Sequence, residues 1–400
     1  MINTQEIRLV YPTPRFLNGA PPGKPNEVCL APEVEAMLRG DAVVAIGVSG
    51  GKDSDACAIA VKRHLDSIGH KGPRLLVHSD LGRIEWEDSL PNCERLARKL
   101  GMELLVVRRE AGDMLDRWEK RWENCVSRYE DLSCVKIILP WSTPSMRFCT
   151  SEMKSHIISR ALKKRFPEED IINVTGIRRE ESPGRSKKPV WAPDSGLNRK
   201  SGAVGITWNA IIEWPVQDVV YAIYDVGLTL HEAYTTYHAS RVSCCYCIMS
   251  SEADLVASAT CEHNHEPYVR MVELEARSSF AFQGNRWLAD VAPHLLSAGL
   301  QDRVQKAKAI AAQRQILEAS IPEHLLYESG WPTVIPTREE AELLAGVRRQ
   351  VSELLGFTSQ CLDAESVIER YRSLMALQKA KGKGGAKAVV KPVQTELCFA

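Results

Sequence analysis

The sequence predicts an α/β protein, a doubly wound parallel sheet followed by a helical C-terminal extension. Two observations carry this prediction. Apolar, β-branched runs at 43–48, 75–78, 102–110 and 171–175 alternate with stretches of helical spacing, the pattern of strand–helix–strand units that pair in parallel. Beyond residue 270 such runs stop, and periodic stretches such as AELLAGVRRQVSELLGF take over.

Taken in order, residues 1–40 are rich in Pro and Gly and are expected to form an N-terminal arm. Val43–Val48 is apolar enough for a central strand buried on both faces. It runs into Ser49-Gly50-Gly51-Lys52-Asp53-Ser54, and Ala56–Leu65 then has helical spacing. Glycines let the backbone turn tightly and approach a ligand. The amides at a helix start face an anion, and the helix dipole favours it. Lys52 and the hydroxyls of Ser49 and Ser54 add donors, and Asp53 is suited to organise the loop or a magnesium ion. The loop therefore predicts a phosphate cradle. It is not the Walker A pattern, in which four residues separate a glycine from Gly-Lys-Ser/Thr.

The second strand, Leu75–His78, leads to an acidic turn at Asp80. Ligands bind at the carboxyl ends of such strands, so Asp80 is either a site residue or a solvated turn. The strand Ile171–Thr175 ends in Gly176-Ile177-Arg178-Arg179-Glu180-Glu181-Ser182. Adjacent guanidinium groups there suit bidentate contacts to phosphate or sulfate.

The Gly-Gly-Lys-Asp-Ser loop resembles the PP-loop of the ATP pyrophosphatases, which holds the pyrophosphate of ATP while the α-phosphate is attacked. The stretch 176–182 resembles the Gly-Ile-Arg-Arg-x-Glu-Ser signature of the phosphoadenosine-phosphosulfate (PAPS) reductase branch, matched by Arg178, Arg179, Glu181 and Ser182. The segment NAIIEWPVQDVVYAIYDVGLTLHEAYTTYHASRVSCCYC is similar to that branch too. The resemblance implies an adenine nucleotide alpha hydrolase-like fold over 41–270. It implies nucleotide contacts from Ser49, Gly50, Gly51, Lys52, Asp53, Ser54, Asp80, Gly176, Arg178 and Arg179, with Lys52, Asp53 and Arg178 catalytic.

Twelve cysteines form the second signal. The start has no apolar signal core, and no apolar run reaches the roughly 18 residues that span a bilayer. We therefore expect a cytoplasmic protein with no membrane contact, whose thiols are buried or ligating rather than disulfide-bonded. Cys244 and Cys247 have chelate spacing, with Cys245 competing for the first place. With Cys149 from a distant loop and Cys261 downstream, they make a candidate site for an iron–sulfur cluster or zinc. Sulfur-carrying cysteines without a cluster are the alternative. Cys29, Cys57, Cys93, Cys125, Cys134 and Cys361 are isolated in sequence and read as structural.

HSDLGRIEW, RFCTSEMKS, GIRREESP and SRVSCCYC together resemble the sulfurtransferase-type members found with DNA phosphorothioation systems and in phage genomes. In the Dnd-type member, a pyrophosphatase core and a 4Fe–4S cluster serve sulfur insertion into the DNA backbone. This implies an adenylylating sulfurtransferase with ATP, Mg²⁺ and a 4Fe–4S cluster as cofactors. It implies DNA as substrate, and a cysteine desulfurase and other modification proteins as partners. The tail VQTELCFA puts Cys398 after Glu396-Leu397 without the glycine and histidine that follow the late nucleophile of PAPS reductases. A PAPS or APS reductase is the alternative, and a non-catalytic nucleotide-binding component of a defence complex is the third reading.

The 51 basic residues balance the 51 acidic ones, so any basic surface must be local. The stretch 187–202 reads as a basic, mobile loop. Residues 110–145 carry Trp118, Trp122 and Trp141 among mixed charges and read as a helical insertion, with either a core edge or a partner face. Residues 271–377 read as the helical extension, and 378–400 as a flexible basic tail.

Overall fold

The computed structural model describes residues 26–383. These form two compact units. One comprises the residues up to Met114 together with Phe148–His265, and the other comprises Leu115–Arg147 with the residues from Glu266 on.

The first unit is built on six strands: β1 (Val43–Val48), β2 (Arg74–Asp80), β3 (Glu103–Arg108), β4 (Ile171–Val174), β5 (Trp191–Pro193) and β6 (Gly205–Trp208). Their order is β3-β2-β1-β4-β6-β5. β1 pairs in parallel with β2 (Val44 opposite Arg74) and with β4 (Val43 opposite Ile171), and only β5 runs antiparallel, against β6. β1 is apolar on both faces because both are covered. Val44, Ile46 and Val48 pack with the apolar side of α2 (Lys52–Ser67), while Val43 and Ala45 pack with Leu162 and Phe166 on the opposite side. Each such buried Val, Ile, Leu or Phe side chain contributes about 1.5–3 kcal/mol. β1 lies where the strand order reverses, the switch point at which open α/β sheets bind ligands.

The four expected strands are present, and β5 and β6 are additional. Four residues from Gly205 are too few to display a period. β5 lies inside the stretch expected to be a loop, and its Pro193 suits an edge strand, where no ladder donor is needed. The described part of the expected arm is tied into this unit. It holds α1 (Pro32–Arg39), the Cys29 amide donates to Ala210 O (2.7 Å), and the indoles of Trp208 and Trp214 donate to Cys29 O and Glu27 O. α3 (Ser89–Leu100) links β2 to β3 and ends on Gly101 in the left-handed conformation.

The second unit is helical. α4 (Met114–Glu130) leads into it, and helices follow at His265–Ser278, Ala298–Ala319, Arg338–Leu355 and Ala364–Lys383. Trp118, Trp122 and Trp141 are all buried here. Trp118 and Trp141 meet edge to face at 5.4 Å, and Trp141 meets Phe282 at 5.2 Å. The tryptophans are therefore a core edge, which corrects the partner-face alternative. The Glu275 carboxylate accepts the amides of Phe282 (2.7 Å), Leu288 (2.7 Å) and Ala289 (3.0 Å), fixing the loop after its helix. The last helix continues to Lys383, through the start of the expected tail. Residues 1–25 and 384–400, including Cys398, lie outside the described residues. No helix among the described residues is long and apolar enough to cross a membrane.

Candidate active site

Ser49, Gly50 and Gly51 make the whole turn between β1 and α2. Gly50 has φ +73°, and a Cβ there would come within 3.0 Å of Ser89 O, so glycine is required. The turn is clasped by its own side chains. Ser54 Oγ donates to Gly51 O (2.7 Å) and accepts from the Ser49 amide (3.2 Å). From α3, the Asn92 amide donates to Gly50 O (3.2 Å) and to the Asp55 carboxylate (2.6 Å). Gly51 caps α2 without a side-chain acceptor, so the positive end of the helix dipole faces the loop. Ser54 thus holds the loop's shape, a role its sequence position did not distinguish from a ligand contact.

Lys52 is buried, with Nζ 3.1 Å from the Asp53 carboxylate and 5.1 Å from the centre of the Tyr234 ring. Burial opposes its charge, yet Tyr234 and Asp53 outweigh burial and raise its pKa. Asp53 is held below the ordinary carboxylate range because Lys52 and Arg178 outweigh its own burial. Arg178 donates through Nε to Asp53 (2.5 Å) and through Nη1 to Glu180 and to Trp214 O (3.4 Å). The chain after β4 passes so close to the first turn of α2 that a Cβ on Gly176 would fall 2.5 Å from Asp53 O.

The two arginines therefore diverge. Arg178 is only 3% exposed and reaches the loop through Asp53, whereas Arg179 turns to Glu213 (2.6 Å) and Ser186 O (2.7 Å). They do not form one exposed clamp. Asp80 is neither free nor solvated. Its carboxylate accepts from the Gly82 amide (2.7 Å) and from Arg108 Nε (2.9 Å), shaping the turn after β2.

Tyr234 ties the loop to the cysteine segment. Its hydroxyl accepts the amides of both Lys52 (3.3 Å) and Val242 (3.1 Å), and Cys244 follows two residues later. The Cys245 amide donates to Ile84 O (2.8 Å). His78, fully buried on β2, lies within hydrogen-bond distance of Val48 O (3.1 Å) and Glu85 (3.2 Å), bridging the end of β1 to the turn beside these cysteines. Tyr234, Asn92, Asp55 and His78 are positioning residues that sequence reasoning missed. Tyr234 carried a signal inside the leucine-histidine-x-x-tyrosine segment, and His78 opens the stretch HSDLGRIEW.

Burial pushes the Cys244 thiol up to about 12, and Cys247, Lys154, Cys149 and Glu85 lie close enough to act on it. The structure thus leaves Cys149, Cys244 and Cys247 in one neighbourhood. Cys261 is hydrogen-bonded with Tyr237 and lies near Cys245, as Cys244 does. Among the described residues, no three His, Cys, Asp or Glu side chains are gathered at metal-binding geometry. By donor type, soft thiols such as those of Cys149, Cys244, Cys247 and Cys261 suit an iron–sulfur cluster. A magnesium ion would find its oxygens chiefly on the phosphates of a nucleotide, because Asp53 is engaged by Lys52 and Arg178, and Asp55 by Asn92.

A family model described as the phosphoadenosine phosphosulfate reductase domain matches residues 43–249. An uncharacterized 37.8 kDa protein in the gpa 5' region of Escherichia phage 186 is 26% identical over 246 residues, covering 52% of this chain and 68% of the relative. Among solved structures, the U34-tRNA thiolase NcsA from Methanococcus maripaludis with its 4Fe-4S cluster aligns with TM-score 0.34 and 14% identity, over 70% of this chain and 77% of that one. The NH3-dependent NAD synthetase from Campylobacter jejuni aligns with TM-score 0.26 and 12% identity, over 71% and 89%.

Proposed function

The chain belongs to the phosphoadenosine phosphosulfate reductase domain family, and from that premise we propose that it is an ATP pyrophosphatase that adenylylates nucleic acid, DNA in the first instance, for sulfur insertion. The observation that carries this reading is the Tyr234 hydroxyl. One oxygen accepts the amide of the phosphate-loop lysine and the amide of the segment leading into Cys244 and Cys247, so a nucleotide cradle and a group of thiols share one support.

In this mechanism an acceptor oxygen attacks the α-phosphate of ATP and pyrophosphate leaves into the loop. Lys52 and the start of α2 stabilise the charge that builds on the leaving group. A phosphate that draws Lys52 does so in competition with Asp53, and Arg178 keeps Asp53 in place during the exchange. A sulfur nucleophile then displaces AMP from the activated acceptor. Cys149, Cys244 and Cys247 would hold an iron–sulfur cluster, whose chemistry would be to bind and deliver that sulfur. The sulfur comes from a donor such as a cysteine desulfurase at the persulfide level, and a thiol reductant such as excess cysteine supplies the two electrons that release it, itself becoming a disulfide.

The test is to supply the anaerobic protein with ATP, cysteine, a cysteine desulfurase and either DNA or tRNA. Nuclease digests are then examined for sulfur by mass spectrometry. Sulfur retained in DNA, with one AMP formed per sulfur, is expected. Sulfur in tRNA alone would move the acceptor to RNA. The family's own name favours a second reading, reduction of PAPS or APS. Sulfite released from either compound, without AMP formation from ATP, would select it.

A further inference from the structure

Cys125 and Cys134, isolated in the sequence and expected to be structural, meet in the second unit. Cys125 lies in the last turns of α4 and Cys134 in the loop that follows. The Cys134 amide donates to Arg128 O (3.2 Å), which sets Cys134 beside the turn that carries Cys125, and the Cys125 sulfur accepts the Ile138 amide at 2.9 Å. Arg121 and Arg128 lie one turn to either side on the same helix. The nearby Cys134 side chain, the Ile138 amide and these two guanidinium groups together outweigh burial and hold Cys125 below the ordinary thiol range. The nearby Cys125, with burial, pushes Cys134 up. A sulfur that accepts an amide, is flanked by two guanidinium groups and has a second thiol near it is the arrangement of an attacking and a resolving cysteine.

Cys125 also lines a cavity of about 340 Å³, with Arg117, Arg121, Asn124, Ser127 and Arg128. Arg117, Arg121, Asn124 and Arg128 recur at helical spacing on one face of α4. The cavity wall is therefore rich in groups that suit carboxylates.

We propose that Cys125 and Cys134 are a redox-active dithiol that exchanges with small anionic disulfides admitted by the arginine-lined cavity. The Cys125 thiolate attacks one sulfur of the ligand disulfide. A mixed disulfide forms, and the other half leaves as a thiolate. Cys134 then gives up its proton and attacks the Cys125 sulfur, releasing the second half. The protein dithiol loses two electrons and becomes a disulfide. The ligand gains them and becomes two thiols, taking up the protons the cysteine pair has lost. The site draws all its residues from Leu115–Arg147 and none from the loop site.

The test uses the full-length protein, first reduced and then incubated with oxidised glutathione at neutral pH, followed by alkylation, digestion and mapping of linked peptides. A Cys125–Cys134 linkage should dominate among the products. Cys134→Ser should trap glutathione on Cys125, and Cys125→Ser should leave Cys134 reduced. Arg117→Gln should slow the reaction with oxidised glutathione about tenfold and leave that with uncharged hydroxyethyl disulfide unchanged. Cys125 and Cys134 both alkylated as free thiols while linkages form elsewhere would overturn the proposal, as would glutathione on Cys134 in Cys125→Ser. Equal effects of Arg117→Gln on both disulfides would overturn the anionic ligand. The wild-type map needs no substitution, so a variant that fails to fold leaves the test standing.

Discussion

Arg178 and Arg179 are neighbours in sequence with different energetic roles. Arg178 and Asp53 form a buried pair, with side chains 4% and 15% exposed. Removing one partner of such a pair costs up to about 3–5 kcal/mol, and less here because Lys52 still meets Asp53 at 3.1 Å. Arg178→Ala should therefore lower the urea midpoint substantially as well as activity. Arg179 pairs with Glu213 at 33% and 57% exposure, and Arg179→Ala should cost about 1 kcal/mol or less. Equal destabilisation by the two would contradict their assigned places. The cysteines divide in the same way. Cys149→Ser, Cys244→Ser and Cys247→Ser should each abolish iron and acid-labile sulfide in anaerobically purified protein, because a hard hydroxyl replaces a soft thiolate. Cys261→Ser should retain both, since Cys261 is hydrogen-bonded with Tyr237. Iron lost from Cys261→Ser to the same extent would make it the fourth ligand.

At the scale of elements, the clasp between α2 and α3 sets a pH dependence. Burial pushes Asp55 up to about 7, above the value of about 3.9 for an unfolded aspartate. The fold thus prefers its acid form. This contribution to stability is full below about pH 4 and is lost as the pH rises through about 7. Burial pushes Glu275 to about 7 as well, with the same sign, at the turn after the His265–Ser278 helix. Asp55→Asn and Glu275→Gln should each flatten the fall in stability between about pH 4 and pH 7 in denaturant titrations. An unchanged slope in both variants would exclude these carboxyls as its source. Neither group was legible in the sequence, because their burial depends on residues distant in the chain. What could be read locally was sound: strands β1 to β4, the loop between β1 and α2, and the helical run after 270. Pattern fails where an element is three or four residues long, as in β5 and β6. It also fails where a residue's partner decides its role, as Asp53 does for Arg178 and Cys134 for Cys125.

For the whole molecule, the proposed function puts nucleotide chemistry at the loop between β1 and α2, with Lys52 as its central cation. Lys52→Ala leaves the Asp53–Arg178 pair and the backbone clasp of Ser54 and Asn92 intact, so the fold should persist by circular dichroism while catalysis fails. The most direct measurement is pyrophosphate release from ATP by wild-type and Lys52→Ala protein, with nucleic acid as acceptor. The wild type should release pyrophosphate, with AMP following once a sulfur donor is added, and the variant should be slower by about 10²–10³-fold, the usual loss when one preorganised charge stabiliser is removed. A wild-type protein that releases no pyrophosphate, or a folded Lys52→Ala variant that releases it at the full rate, would contradict the account.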